Sequence, residues 1–363
     1  VLTSLEIKNF RTFKHLRIER LGRVNLVVGK NNVGKTTLLE ALRLYGAYWP
    51  PATVASILDE RNEIVGASEG SELLLLESLL HGRNVSEGSQ ILIRDAQVPS
   101  GRNLVATFVS GNDAVDKGES KRNSSLAQPG RWALKIAVNG SEVTVRANEI
   151  SRYRSGFTNV GTMRVAGTPF LRGTMCGGAT EAMMAAWWDE LSLTEAEDRI
   201  LNALRLIAPI KRVGFVADPR VREHRIAKAS LEGQRQPVPM AALGDGVVRM
   251  FQIAVAMEFA VTNREETFSL LLIDEVESGV HHTLHPGLWR FILQAARALD
   301  VQVFATTHSW DCLKGLAKAT KEDVETNAEA IRLEQVEGEE QTGAVIIDRE
   351  GLPIVVRDSI EVR

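Results

Sequence analysis

A chain of 363 residues with 44% hydrophobic content is long enough to bury one large core or two ordinary ones. Its formal net charge of −3 excludes a global attraction to nucleic acid, so any DNA contact must come from a local basic patch. Its two cysteines, Cys176 and Cys312, lie far apart without metal-ligand spacing, which argues against a disulfide or zinc framework and suits a reducing cytoplasm.

The N-terminal stretch LTSLEIKNFRTFKHLRIE alternates apolar and polar residues (Leu5, Ile7, then Phe13, Leu16, Ile18) and breaks at Asn9, which predicts a hairpin. Val1 stands in place of an initiating Met, so the start reads as processed, and the charges after it form no signal-peptide core. An apolar run, Val24 to Val28, then leads through GKNNVGKT into a helical pattern of Leu38, Leu39, Ala41 and Leu42. Strand, loop and helix in that order suit a nucleotide. Gly29 and Gly34 let successive N–H groups converge on phosphate oxygens at a helix N-terminus. Lys35 adds a point charge for the β- and γ-phosphates, and the Thr36 hydroxyl suits magnesium.

Residues 50–90 begin with Pro50-Pro51, carry a helical patch from Ser71 to Leu80, and read as an insertion. QILIRD, NLVATFVSG and RWALKIAVNGSEVTVRA read as antiparallel strands of a sheet arm, with a hairpin turn at Asn139-Gly140. Helical spacing returns from Thr180 to Pro209, where Thr194 caps a second helix and Glu197 completes a capping box. KRVGFVADPRVREHRIAKAS follows as a short strand and a basic, loop-like stretch. Residues 180–232 are thus read as a helical subdomain with a basic stretch.

Residues 240–262 predict a long apolar helix opened by the Gly-rich turn Leu243 to Gly246, another anion-binding helix N-terminus. SLLLIDE and VQVFATTHS read as buried strands with the helix GLWRFILQAARAL between them, so the core is α/β with parallel strands. Residues 316–363 read as a charged and then β-like extension, AVIIDREGLPIVVRDS. The apolar run after Phe268 is far too short to span a bilayer, and there is no heptad run or internal repeat; a soluble protein without a membrane partner is expected.

LLLIDE ends in Asp274 and Glu275 at the C-terminal end of a buried strand, where open α/β sheets bind ligands. There an aspartate holds the magnesium hydration shell, and the adjacent carboxylate orients and deprotonates the water that attacks the γ-phosphate. FATTHS puts His308 just past the next strand, close to the γ-phosphate position; a helix-capping or core histidine is the bland alternative.

The order of GKNNVGKT, LGDGVVR, LLLIDE, ESGVHH and TTHS resembles the ABC-type ATPase heads of the RecF, SMC and OLD (overcoming lysogenization defect) group, over nearly the whole chain. IDEVESGVHH followed by FATTHS is most similar to OLD-like AAA family ATPases, many of them bacterial defence components. The resemblance implies one α/β P-loop NTPase head, with a parallel core sheet, an antiparallel β arm and a helical subdomain. It implies ATP and Mg2+, with Gly29, Asn31, Asn32, Val33, Gly34, Lys35, Thr36 and Thr37 in the Walker A loop and Asp274 as the Walker B aspartate. Glu275 matches the catalytic glutamate and His308 the switch histidine. Gly244, Asp245 and Gly246 occupy the signature loop that contacts the γ-phosphate of an opposing subunit, and Glu277 to His281 fall in the D-loop at the dimer interface. The usual signature serine is missing, and Asp245 puts an anion near phosphate. No Q-loop glutamine is placed.

The function implied is a dimeric ATPase that gates a separate nuclease or effector in anti-phage defence. After His308 only about fifty residues remain, too few for the Toprim nuclease domain that OLD proteins often carry. The alternative is a RecF-like ATPase that clamps DNA. Lys8, Arg11, Lys14, Arg17, Arg20 and Arg23 recur every third residue, and Arg220, Arg222, Arg225 and Lys228 form a second cluster; each either tracks a phosphate backbone or is a solvated face, and Arg11 has a further candidate role at the nucleotide. A transporter subunit is disfavoured by the long separation of Lys35 and Asp274. His281, His282 and His285 make a weak metal candidate, and Trp187-Trp188 reads as helix packing before base stacking.

Overall fold

Three runs of apolar residues build the centre of the molecule in a computed structural model that describes residues 1–47, 49–65, 73–98, 103–110, 132–138, 141–146, 169–171, 178–218, 225–262, 269–336 and 341–358. The elements in chain order are β1 (Leu5–Phe10), β2 (Phe13–Ile18), β3 (Val24–Val28), α1 (Lys35–Ala47), α2 (Pro51–Asp59), β4 (Ile64–Val65), β5 (Leu73–Leu74), β6 (Gln90–Arg94), β7 (Asn103–Ser110), β8 (Trp132–Val138), β9 (Ser141–Arg146) and β10 (Phe170–Leu171). The second half adds α3 (Gly178–Leu191), α4 (Glu195–Arg205), β11 (Ile210–Ala217), β12 (Arg225–Leu231), β13 (Val238–Pro239), α5 (Asp245–Thr262), β14 (Ser269–Ile273), α6 (His285–Ala298), β15 (Val301–Thr306), α7 (Trp310–Glu322), β16 (Ala328–Gln335), β17 (Thr342–Ile347) and α8 (Gly351–Arg357).

The core sheet runs β10-β14-β15-β3-β16-β17, parallel from β10 to β16, with β17 antiparallel at the edge. Every residue of β3, β14 and β15 is buried, as strands covered on both faces must be. Their period of two divides the side chains between two cores. Leu26, Val28, Leu271 and Ile273 face a core shared with α3 to α7, while Val27, Leu270 and Leu272 face one shared with α1 and the antiparallel sheet. That second sheet has the order β2-β1-β6-β7-β8-β9. The N-terminal hairpin is therefore one end of the β arm, joined to it by the pairing of Glu6 with Arg94.

Three local expectations are corrected. The helical patch from Ser71 to Leu80 is, over its described part, the short strand β5 and a 3-10 turn at Leu76–Leu79, held by Ser78 Oγ donating to Glu63 at 2.8 Å. The basic stretch after residue 217 is not loop-like over 225–231: β12 pairs with β11 from Val213↔Ala229 to Ala217↔Arg225, with Ala227, Ala229 and Leu231, two apart, turned to the core. The β-like C-terminal segment ends in a helix: Leu352 and Val355, three apart, are buried on one face of α8, and Pro353 sits in the first turn, where a missing N–H costs nothing. β16 lies directly beside β3, inside the core sheet. The Asn139-Gly140 turn lies outside the described residues, although β8 and β9 on either side are paired. Thr194 caps α4 by accepting from Ala196 N at 3.2 Å, and Glu197 reaches back to Leu193 N at 2.7 Å.

Candidate active site

The loop between β3 and α1 turns on three left-handed residues: Gly29 (φ 143°), Asn32 (φ 65°) and Gly34 (φ 104°). At two of them a side chain has no room. A Cβ on Gly34 would lie 2.7 Å from the Phe13 ring, and one on Gly29 would collide with the Leu333 carbonyl of β16. The loop is thus wedged between the N-terminal hairpin and the core sheet. Asn31 and Asn32 are exposed at its crest, Val33 and Thr36 are half-buried, and Thr37 is buried behind them. Lys35, also buried, donates from Nζ to Gly29 O at 2.7 Å and Lys30 O at 2.8 Å, so its ammonium lies under the loop. Burial lowers its pKa, opposed by the charges of Asp274, Glu275 and Glu277.

Strand register brings the carboxylates to this loop. Thr306 at the end of β15 pairs with Val27 of β3, and Ala305 with Ile273 of β14, so the three strand ends meet. Asp274 Oδ2 accepts from Thr36 Oγ1 at 3.3 Å, and its Oδ1 accepts from Thr306 Oγ1. A hydroxyl and a carboxylate form a hard oxygen set that fits Mg2+, which would be held by Thr36 and Asp274. Glu275 follows with φ 48°, its N–H donating to Thr306 Oγ1 at 2.9 Å. Arg249 of α5 donates to the carbonyls of Asp274 at 2.9 Å and Glu275 at 3.0 Å.

His308 is exposed just past β15, with its backbone N–H donating to Glu277 Oε1 at 3.0 Å. That bond uses only the His308 backbone and leaves the imidazole out of it. His308→Ala should leave ATP affinity nearly intact and lower turnover about 10²-fold or more, the size of an acid–base or polarising contact. Unchanged turnover in a steady-state phosphate-release assay would make the residue structural.

Gly244, Asp245 and Gly246 form the turn that opens α5, with Gly244 and Asp245 exposed and Gly246 half-buried. Gly279 packs against it so closely that a Cβ there would meet Asp245 Cβ at 2.9 Å, and Leu284 Cδ1 lies 3.7 Å from the Cβ position of Gly246. The turn thus rests on the segment after Glu277. Arg249, just over one helical turn further on, links it to Asp274 and Glu275.

The remaining candidates are accounted for by the fold. Arg11 is buried between Glu40 and Glu63, each at 2.9 Å, so its charge is taken up within the fold. Lys8, Arg17, Arg20 and Arg23 pair with Glu6, Glu19, Glu329 and Asp300, as suits the solvated-face alternative; Lys14 is exposed. Arg225 pairs with Asp189, Lys228 is half-buried, and Arg220 and Arg222 lie outside the described residues. Among the described residues, no His, Cys, Asp and Glu cluster has the makings of a metal site. His281 bonds Thr283, and buried His285 bonds Val280 O at 3.1 Å. Trp187 stacks on Phe259 with centroids 4.8 Å apart, and Trp188 packs on Phe251. Cys312 is a buried free thiol whose pKa is pushed up to about 12 by burial; Cys176 lies outside the described residues. Among the described residues no helix is long and apolar enough to cross a membrane.

Sequence reasoning missed Arg249 and Thr306. Both stand inside quoted motifs, LGDGVVR and FATTHS, yet each contacts a residue at least 25 positions away.

A family model described as "AAA ATPase domain" matches residues 1–46, and one described as "AAA domain, putative AbiEii toxin, Type IV TA system" matches residues 193–311. The first span holds the loop and Lys35; the second holds the Gly244–Gly246 turn, Asp274, Glu275 and His308. An "ATP/GTP phosphatase" of Helicobacter pylori is 23% identical over 354 residues, covering 89% of either chain. RecF of Clostridioides difficile is 51% identical over 41 residues, 11% of either chain. The SMC head domain from Thermotoga maritima is 13% identical with a TM-score of 0.48, covering 96% of this chain and 99% of that one. The fold is that of a P-loop ATPase of the ABC type, and the chain is an ATP-hydrolysing enzyme.

Proposed function

We propose that this ATPase works as a nucleotide-sandwiched dimer whose closure gates a separate effector or nuclease in bacterial anti-phage defence, in the manner of the OLD-like ATPases it resembles. What supports the reading is a pair of candidate phosphate-binding elements in one chain. Lys35, Thr36, Asp274 and Glu275 converge on one loop, while the Gly244–Gly246 turn, exposed at Gly244 and Asp245, rests on Gly279 and Leu284. A second subunit's turn would close over ATP held by the first.

In this mechanism the N–H groups of residues 29–36 and the Lys35 ammonium hold the β- and γ-phosphates. Glu275 accepts the proton of the attacking water, and His308 contacts the γ-phosphate. Magnesium, held by Thr36 and Asp274, would neutralise charge on the phosphate oxygens. Asp245 sets a carboxylate at the turn that meets the partner's phosphate, which weakens closure and favours reopening.

Light scattering with a non-hydrolysable ATP analogue and with ADP tests the dimer; the analogue should give about twice the mass. Affinity capture in the same two states should retain the product of a neighbouring gene in only one of them. Equal mass and equal capture would remove the gating mechanism. The RecF-like reading draws on the local similarity to RecF. The internal pairing of Lys8, Arg17, Arg20 and Arg23 leaves it little charge to use, and a gel shift with a salt titration would reveal any phosphate contacts.

A further inference from the structure

Glu275 holds a left-handed φ of 48°, where a residue bearing a side chain is strained and persists only if its surroundings over-determine it. Here both of its peptide groups are taken by side chains from distant elements. Its N–H donates to Thr306 Oγ1 at 2.9 Å, and its C=O accepts from Arg249 at 3.0 Å. The same guanidinium nitrogen donates to Asp274 O at 2.9 Å, so one group spans two successive carbonyls. Arg249 is 3% exposed. Burial lowers its pKa to about 10, against the raising effect of the Glu277, Asp274 and Glu275 charges. A guanidinium kept in such a place, on carbonyls at a strained residue, has a positional task.

We propose that Arg249, together with Thr306, is a positioning residue that fixes Glu275 in its left-handed conformation and ties it to the helix opened by the Gly244–Gly246 turn. The inference rests on the reading of Glu275 as the base. An aligned base matters because a misplacement of about 1 Å costs on the order of a hundredfold in rate. Through Arg249, a phosphate seated on the turn and the glutamate that serves the subunit's own ATP belong to one rigid piece.

Lysine in place of Arg249 keeps the charge but is shorter and ends in one nitrogen, so it loses the arrangement in which one guanidinium nitrogen holds the two carbonyls while another donates to Gln252 Oε1 at 3.4 Å. Arg249→Lys should therefore lower kcat by about tenfold to a hundredfold while the KM for ATP stays within about twofold. The decisive comparison repeats Arg249→Lys in a Glu275→Gln background by single-turnover hydrolysis of labelled ATP. If Arg249 acts through Glu275, the second substitution adds no further loss. An equal loss in both backgrounds, a rise in KM at constant kcat, or a wild-type kcat for Arg249→Lys would each overturn the proposal. Wild-type turnover of Glu275→Gln alone would instead remove the base assignment. Should Arg249→Lys melt near the assay temperature, Thr306→Val carries the same comparison, because it removes the acceptor of the Glu275 N–H; it also removes the bond to Asp274 Oδ1, and only the part of the loss that runs through Glu275 disappears in the Glu275→Gln background. A loss that shrinks in that background supports the clamp, and one that persists undiminished overturns it.

Discussion

Glu275→Gln should still bind ATP while turning it over about a hundred- to ten-thousandfold more slowly, the usual range for losing a general base. The amide keeps the shape of the side chain and leaves the two backbone bonds to Thr306 and Arg249 in place, so the loss isolates basicity. If ATP is held between the Lys35 loop of one subunit and the Gly244–Gly246 turn of another, stalled hydrolysis should trap the closed form. The variant with ATP and magnesium should therefore run by light scattering as a larger assembly than with ADP. A nucleotide-independent mass together with wild-type turnover would remove both the glutamate assignment and the nucleotide-sandwiched dimer.

Lys35→Ala should abolish measurable ATP binding and hydrolysis. The ammonium is the cation already gathered under the loop, 2.7 Å from Gly29 O and 2.8 Å from Lys30 O, and burial excludes water from replacing it. A charge-assisted hydrogen bond contributes about 1.5–3 kcal/mol, a ten- to more than hundredfold loss in affinity. Removing one preorganised donor from a developing charge costs about 10²–10³ in kcat. Lys35 is drawn two ways, its charge disfavoured by burial and favoured by Asp274, Glu275 and Glu277. Truncation should therefore leave the melting temperature near wild type while titration calorimetry with ATP turns flat. Unchanged affinity would sink the assignment of the loop.

Several features were legible because they are local. Strand, Gly29-to-Gly34 loop and helix are contiguous, and their apolar periods reappear as β3 and α1. Asp274 and Glu275 end a run of five buried residues, which by itself marks the C-terminal edge of a parallel strand. Short apolar runs carry less information: GLPIVVR fits a strand as well as a helix until Leu352 and Val355 find a surface to cover.

By itself, then, the sequence determined the loop, the carboxylate pair, the alternation of strands and helices and the enzyme class they build. Tertiary structure decided what those residues touch. The basic series from Lys8 to Arg23 left a phosphate-tracking face and a solvated face both legible, and only the fold brought Glu329 and Asp300, about three hundred positions away, to pair with Arg20 and Arg23. Arg249 and Thr306 acquired a role only when β14, β15 and α5 packed together around Glu275. The physical reason is that periodicity encodes which face of an element is buried, whereas the partner of a charge or a peptide group is set by strand register and packing between segments far apart in the chain.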